Sequence, residues 1–482
     1  MHAAPVKTTT AVPPDGGSRT LNGWLCAVSV IAACVAAVLA SILWQTPYPL
    51  SEGVALLEDV ADASSFGFLL PLRTYYRPLY HLSLYTAWHA SRSPEAFVAT
   101  ARLMQIAPVA ILLVLFIVRL RPRTLVDAAA ATLGVAVLVG SAAFLDNLEI
   151  PLTYTTVGMP LLLAAWMLSE RTGRPAGAWL FIALAVLAVG FKEQGLVLLP
   201  VIVAAWWTKA PGVSRTTAAS MVAIGVAYVG LRLSQSARWA PFEQDIGFGF
   251  QVLPAAEAAA RFGRFPLGVY AYNAASTIAN VLFAEPTAGV FSITGAMLHG
   301  SALPWQYIYL LSSGCLTGLL AWWGVRCVRR AWATGWDAES RTVVILAVAL
   351  AASGALSFNY SRDRLGGMAL VPYAVAAFYA VRAALVALSR AGVLRAVTVA
   401  TALLLLAAAW QTRVLHTFDG ARKRAADNHR EWITALYQRR AEFAGRPYFE
   451  RLLDELSPQG SQRPAVTPLR YPAWVRDLLG PS

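Results

Sequence analysis

The chain has 482 residues, of which 57% are hydrophobic and 13% are charged, and its mean hydropathy is +0.54. Soluble globular domains carry about 25% charged residues, so this composition argues against a soluble protein and against a disordered one. The net charge is +13. In a membrane protein such an excess of basic residues usually lies in cytoplasmic loops near phospholipid head groups, so nucleic acid is a poor candidate partner. The four cysteines lie in apolar stretches without metal-ligand spacing and indicate neither a disulfide framework nor a zinc site.

Taken in chain order, the polar residues 1–20 predict a flexible cytoplasmic tail, because they include Pro13-Pro14 and Gly16-Gly17. The first apolar run is too long for a signal-peptide core and lacks a clear cleavage site, so we interpret it as a retained membrane anchor. Eleven runs predict membrane spans, at about 22–44, 97–118, 126–145, 152–168, 177–191, 195–207, 217–234, 305–325, 342–358, 367–388 and 394–412. The semi-apolar stretches 267–283 and 287–303 are either two further spans or interfacial helices.

The distribution of basic residues predicts the orientation. With the N-terminus in the cytoplasm, the short inner loops hold Arg119, Arg121, Arg123, Arg171, Arg174, Lys209, Arg215, Arg326, Arg329, Arg330, Arg341, Arg390 and Arg395. The outer loop at 146–151 holds Asp146 and Glu149 and no basic residue. We therefore expect a multi-pass protein of the inner (plasma) membrane with its active face outside the cytoplasm. Residues 21–412 form the transmembrane body, and 413–482 form a small helical tail at the outer face.

Four carboxylates follow the first span within eleven residues, at Glu52, Glu58, Asp59 and Asp62. They suit a general base, or a carboxylate that orients an acceptor, at the membrane surface. The alternative is a solvated amphipathic helix with its acids on the wet side. If this first outer loop is helical, Glu52 and Asp59 share one face, whereas Glu58 and Asp62 share another.

Three further segments at the outer face carry residues that are unusual at a membrane boundary. Tyr76-Arg77-Pro78-Leu79 begins an aromatic stretch, which is also typical of an interfacial belt. Lys192-Glu193-Gln194-Gly195 places a charged pair at a tight corner between two spans, where the alternative is a snorkelling lysine that caps the bend. Arg362 and Arg364 lie in a predicted outer loop, whereas most basic residues lie in the inner loops. Their guanidinium groups suit phosphate oxygens, and the alternative is that they contact lipid head groups.

In this order, these segments resemble the GT-C superfamily of membrane glycosyltransferases. The chain is most similar to the transmembrane O-mannosyltransferases that carry tetratricopeptide repeats and to their bacterial relatives. Tyr76-Arg77-Pro78-Leu79 and Lys192-Glu193-Gln194-Gly195 are the most specific matches, and the likeness covers about residues 40–390. The repeats themselves are missing. Ser51-Glu52 stands where the family has an Asp-Asp pair, and Glu58-Asp59 stands where it has Glu-Asn.

The resemblance implies an all-α, GT-C-like fold with a helical first outer loop, and the apolar runs predict about 11 to 13 transmembrane helices for it. It also implies that a sugar passes from a polyprenyl-phosphate donor to a hydroxyl of a protein or glycan acceptor. In that reaction Lys192, Arg362 and Arg364 would bind the donor phosphate. Glu52 would accept the proton with the help of Asp59, which is itself an alternative base, as are Glu58 and Asp62 on the other helical face.

In the same resemblance, Tyr76, Arg77, Glu193 and Gln194 would support the substrate site. Membrane lipids are expected partners, and the lipid-linked donor requires neither a cofactor nor a metal. Two alternatives remain open. One is a transporter or flippase of a lipid-linked saccharide, which predicts charges buried in the middle of the membrane and inverted repeats. The other is an envelope polysaccharide polymerase or ligase, which would lack the Lys-Glu-Gln-Gly corner.

Overall fold

The computed structural model of the chain describes residues 23–45, 77–91, 93–149, 154–170, 175–235, 246–248, 251–263, 267–283, 289–388, 392–438, 440–445 and 450. Its α-helices are α1 (Gly23–Gln45), α2 (Pro78–Ala90), α3 (Pro94–Leu120), α4 (Leu125–Val139), α5 (Ala142–Glu149), α6 (Tyr154–Ser169), α7 (Pro175–Phe191), α8 (Leu198–Trp207), α9 (Arg215–Gln235), α10 (Ala255–Phe262), α11 (Leu267–Phe283), α12 (Gly289–Leu298), α13 (Pro304–Thr334), α14 (Ala338–Leu356), α15 (Gly367–Leu388) and α16 (Val393–Gln438). Short 3₁₀ helices cover Glu193–Val197, Asp363–Gly366 and Arg440–Phe443. Strands β1 (Ile246–Phe248) and β2 (Gln251–Leu253) form one antiparallel pair in which Ile246 lies opposite Leu253.

Within the described residues, six helices are long and apolar enough to cross a membrane, namely α1, α3, α13, α14, α15 and α16. Helices α4 and α5 add a seventh span if this pair, which bends by 55°, is counted as one. Shorter apolar helices cover Val157–Ser169, Gly177–Phe191 and Glu193–Trp207. The chain is therefore a helical, multi-pass membrane protein. The count of 11 to 13 spans stays a prediction, as does the number of crossings made by 267–303.

Helix α15 lies at the centre of the bundle, where it packs against α4, α6, α13 and α14. Every residue from Gly367 to Phe378 is buried, because the many alanines of this helix let neighbouring backbones approach closely. The first part of α16, about residues 393–412, is similarly apolar but exposes Leu404 and Leu405, at 71% and 66% of their surfaces. Apolar side chains that face outward are expected where a helix contacts lipid.

The break between α4 and α5 falls at Gly140, where a Cβ atom would lie 2.8 Å from the Ala136 carbonyl oxygen and 3.1 Å from Cβ of Arg413. The Arg413 side chain is 1% exposed, and its Nε donates to the Gly140 carbonyl at 3.2 Å. Its Nη1 donates to the Tyr309 carbonyl at 3.0 Å and to the hydroxyls of Ser312 and Ser313. These bonds fix α16 against the point at which α5 changes direction.

The predicted boundary between body and tail, at 412/413, lies inside α16, which continues without a break to Gln438. Residues just beyond it, including Val414, Thr417 and Phe418, are buried against the bundle. The predicted cytoplasmic tail at 1–20, the carboxylates of the predicted first outer loop and most of the predicted C-terminal tail lie outside the described residues. The division into tail, body and outer tail therefore stays a prediction.

Candidate functional site

The corner between α7 and α8 is a tight reversal that only glycine permits at one position. After α7 ends at Phe191, the Lys192 backbone is extended, and its carbonyl accepts a hydrogen bond from the Gly195 amide at 2.8 Å. A Cβ atom on Gly195 would lie 2.4 Å from the Ala188 carbonyl carbon and 2.5 Å from its oxygen. The first turn of the corner is thus pressed directly against the backbone of the last turn of α7.

The corner is joined to the start of α2 by an ion pair between Arg77 and Glu193. Arg77 Nε donates to Glu193 Oε2 at 2.9 Å, and Arg77 Nη2 donates to Oε1 at 2.7 Å. The two side chains are only 13% and 19% exposed, so this bidentate pair is largely shielded from solvent. Arg232, on α9, lies farther away, with Nη1 3.8 Å from Glu193 Oε2. The two motifs that carry the resemblance, 116 residues apart, are therefore in direct contact.

Lys192 and Gln194 flank Glu193 and are each 4% exposed. Burying an ammonium group and a primary amide costs free energy unless partners or ligands compensate, and the neighbouring Glu193 carboxylate compensates part of that cost for Lys192. The Gln194 Oε1 atom accepts no hydrogen bond from any residue that the structure describes. A buried, unused acceptor beside a buried ammonium group is the kind of arrangement expected of a ligand site.

The outer arginine loop precedes α15 and is held by α5. The Asp146 carboxylate accepts a hydrogen bond from the Arg364 amide at 2.8 Å, and the Asn147 side chain donates to the Arg364 carbonyl at 3.2 Å. Arg362 Nε donates to the Tyr360 hydroxyl, and its guanidinium carbon lies 5.4 Å from the centroid of that ring. Both arginine side chains are half-buried. The loop backbone is therefore fixed while its guanidinium groups remain partly accessible.

A buried hydroxyl cluster supports the same loop from the side of α11. The Ser361 hydroxyl donates to Ser276 at 3.1 Å and lies 3.3 Å from the Thr277 hydroxyl. Asn273, also on α11, donates to the Phe358 carbonyl at 3.0 Å. These contacts satisfy polar groups that would otherwise be orphaned in an apolar bundle, and they fix the chain on both sides of Tyr360.

The corner and the arginine loop lie at the same end of the bundle. The 3₁₀ helices Glu193–Val197 and Asp363–Gly366 both pack against α14 and α15. The structure thus brings to one end of the bundle the segments that carry Arg77, Lys192, Glu193, Gln194, Arg362 and Arg364. In contrast, the predicted site residues Glu52, Glu58, Asp59 and Tyr76 lie outside the described residues.

Sequence reasoning missed Asp146, Asn147 and Arg232 as residues of this region. Asp146 was used only as evidence that its loop faces outward, although an acid at the end of an apolar run also indicates a functional residue. Arg232 interrupts an otherwise apolar helix and could have been singled out on that ground. Within the described residues, no three His, Cys, Asp or Glu side chains cluster as a metal site would require.

Comparison with protein-family models, curated proteins and solved structures found no match for the chain.

Proposed function

We propose that this protein is an integral-membrane glycosyltransferase of the GT-C type. It would move a sugar from a polyprenyl-phosphate donor to an acceptor hydroxyl, on a protein or a glycan, at the outer face of the inner membrane. The observation that supports this most is the ion pair between Arg77 and Glu193, because it joins the two most specific motifs beside a buried lysine. The arginine loop at the same end of the bundle supplies the further cations that a lipid phosphate needs.

The proposed reaction is a single displacement. The acceptor hydroxyl oxygen forms a bond to the anomeric carbon while the bond from that carbon to the phosphate oxygen breaks, which inverts the configuration. The polyprenyl phosphate leaves with the bonding electron pair, and Lys192, Arg362 and Arg364 stabilise its growing negative charge. The hydroxyl proton passes to a carboxylate of the first outer loop, which we assign to Glu52.

The other predicted residues have supporting roles. Glu193 is engaged by Arg77 on both oxygens, so we assign it to holding the corner rather than to proton transfer. Gln194 and Tyr76 complete the substrate site, and Asp59 assists Glu52, with Glu58 as the rival base. Neither a cofactor nor a metal is part of the proposal, because the leaving group is a monophosphate surrounded by cations.

A transporter of lipid-linked saccharides is the second candidate, since Arg413 is a cation buried within an apolar helix. The hydrogen bonds of Arg413 to the Gly140 carbonyl and to two serines give it a structural task at the helix break, which weakens this candidate. A polymerase or ligase of envelope polysaccharides would share the outer arginines but has no specific need for the corner.

The test uses purified full-length protein in detergent micelles with polyprenyl-phosphate mannose as the first probe. Because micelles have no two compartments, a transporter would leave the probe intact, whereas a transferase would release polyprenyl phosphate when an acceptor extract is added. We expect Lys192→Ala and Arg362→Ala each to lower this turnover at least about 100-fold, the effect of losing a charge-stabilising group. Both variants should remain folded.

The matched control is Arg329→Ala, an exposed arginine at the opposite end of the bundle, which should keep wild-type turnover. Wild-type rates in both site variants would refute the phosphate-binding assignment. Mass spectrometry of envelope glycans and glycoproteins from a deletion strain would identify the sugar and the acceptor. An intact probe together with a lipid-linked saccharide that accumulates in the deletion strain would favour the transporter.

A further inference from the structure

A cavity of about 410 Å³ lies at the end of the bundle opposite the candidate site. It is formed by the last turns of α13 and α15 and by the first turn of α14, which are the far ends of helices that carry the arginine loop. Trp322, Trp323 and Arg326 line it from α13, Glu339 lines it from α14, and Arg382 and Val386 line it from α15. The cavity therefore combines an apolar wall with charged groups at its mouth.

The carboxylates around this cavity are already paired. Arg330 Nη2 lies 2.8 Å from Asp337 Oδ2 and 2.9 Å from Glu339 Oε2. Arg382 Nε lies 2.6 Å from Asp127 Oδ1, and its Nη1 lies 3.7 Å from Glu339 Oε1. Three carboxylates, Asp127, Asp337 and Glu339, are thus all engaged by Arg330 and Arg382, and of the acids that the structure describes only Glu339 lines the cavity itself.

Asp337 stays charged in this arrangement. Burial alone would raise the pKa of Asp337, but hydrogen bonds from the Ser340 backbone and side chain and the charges of Arg330 and Arg341 lower it below its usual value. The ion pair with Arg330 consequently persists at neutral pH.

Arg326 differs from its neighbours because no carboxylate of the described residues lies within ion-pair distance of it. Its guanidinium lies 4.8 Å from the centroid of the Trp322 ring, and its side chain is exposed. Towards the described residues, Arg330 makes its ion pairs through Nη2 alone and Arg382 through Nε and Nη1, so each keeps further N–H groups. Three planar donor groups beside one cavity suit a ligand with several anionic oxygens, above all a phosphate.

The surroundings of the cavity indicate what kind of molecule would carry such a phosphate. Trp332 and Trp207 are 79% and 61% exposed at this end of the bundle, and Trp207 contacts Trp336 with ring centroids 5.5 Å apart. Exposed tryptophans mark the level of lipid head groups. Val386 and Trp322 are also exposed, so the apolar wall continues onto the lipid-facing surface. An amphiphile fits this surface, whereas a free anion would leave the apolar wall unused.

We propose that this cavity binds the phosphate head group of an anionic phospholipid from the leaflet opposite the candidate site. Arg326 binds the phosphate directly, with the free edges of Arg330 and Arg382 beside it. One acyl chain of the lipid lies along Trp322 and Val386 on the outside of α13 and α15. Basic pockets between transmembrane helices are a recurrent way of holding anionic lipids.

The proposal is tested on purified full-length protein by native mass spectrometry, with phosphatidylglycerol and phosphatidylcholine offered in equal amounts. The wild type should retain phosphatidylglycerol preferentially. Arg326→Gln should weaken that retention about fivefold, the factor expected for one arginine near an anionic lipid surface. Val386→Trp, which fills the apolar wall without removing a charge, should also displace the lipid.

The matched control is Arg329→Gln, because Arg329 is an exposed arginine on the same helix that does not line the cavity. It should retain phosphatidylglycerol as the wild type does. Wild-type retention by both Arg326→Gln and Val386→Trp, or equal losses in Arg326→Gln and Arg329→Gln, would overturn the proposal. Displacement of the lipid by an equal concentration of inorganic phosphate would show that the cavity binds a free anion and would overturn it as well.

Discussion

The ion pair between Arg77 and Glu193 makes a quantitative prediction about the stability of the corner. We consider Arg77→Met, which keeps an apolar stem, and Glu193→Gln, which keeps the shape of the acid. Removing one member of a buried ion pair leaves the other desolvated and costs about 3–5 kcal/mol. Because these side chains keep 13% and 19% of their exposure, we expect the lower end, about 3 kcal/mol for each single variant.

The double variant should lose less than the sum of the single losses, since neither buried charge is then left alone. A coupling energy of about 2 kcal/mol follows for this pair. Arg232 offers an internal comparison, because it lies 3.8 Å from the same carboxylate and is 31% exposed. Its coupling with Glu193 should stay below about 1 kcal/mol, as for partly exposed ion pairs.

The free energies of unfolding are measured by titrating the purified protein from mild detergent into a denaturing detergent. The fluorescence of the 16 tryptophans reports the transition. Coupling near zero for Arg77 with Glu193, or stronger coupling for Arg232 than for Arg77, would refute the reasoning. In either case the two motifs would not be held together by this pair.

Three further predictions concern the corner, the orientation and the base. Gly195→Ala should lower the free energy of unfolding by about 2 kcal/mol, because its Cβ would lie 2.4 Å from the Ala188 backbone, whereas Gly177→Ala, in open space, should not destabilise the fold. In a cysteine-free background, a cysteine introduced at 444 should react with an impermeant thiol reagent in intact cells. A cysteine introduced at 334 should react only after permeabilisation. The reverse pattern would overturn the predicted orientation. Glu52→Gln should abolish turnover while donor binding survives, and a dead Glu58→Gln beside an active Glu52→Gln would assign the base to the other face of the loop.

The sequence predicted the helical membrane class because apolar runs of about 20 residues are typical of transmembrane helices. It did not predict which helices are central. The first part of α16, about residues 393–412, is nearly as apolar throughout as α15, yet α15 is buried and this part of α16 exposes Leu404 and Leu405. In a membrane, lipid and protein interior are similarly apolar, so the amphipathic pattern that separates core from surface in soluble helices is absent. The sequence likewise did not predict the break at Gly140, because this residue lies within a single apolar run, at about 126–145.

The candidate site was predicted as a set of residue types and not as a geometry. Costly charges at a membrane boundary identified Lys192, Glu193, Arg362 and Arg364, and the structure brings their segments to one end of the bundle. The contact of Arg77 with Glu193 could not be inferred from the sequence, because nothing local relates residues 116 positions apart. The contacts of Asp146 and Asn147 with the arginine loop depend on the bend before α5, and they were missed for the same reason.

Helix α15 begins next to Arg364 and carries Arg382 near its other end. At 1.5 Å per residue these arginines are separated by roughly 27 Å along the axis, close to the thickness of a bilayer's hydrocarbon core. The buried helix therefore fixes the distance between the two arginines, so that one can lie in each head-group layer. If the hydrocarbon core is several ångströms thicker than this distance, either the bilayer thins around the protein or one arginine lies below the head-group layer. We accordingly expect the thickness of the host membrane to affect both the candidate site at one end of α15 and the cavity at the other end.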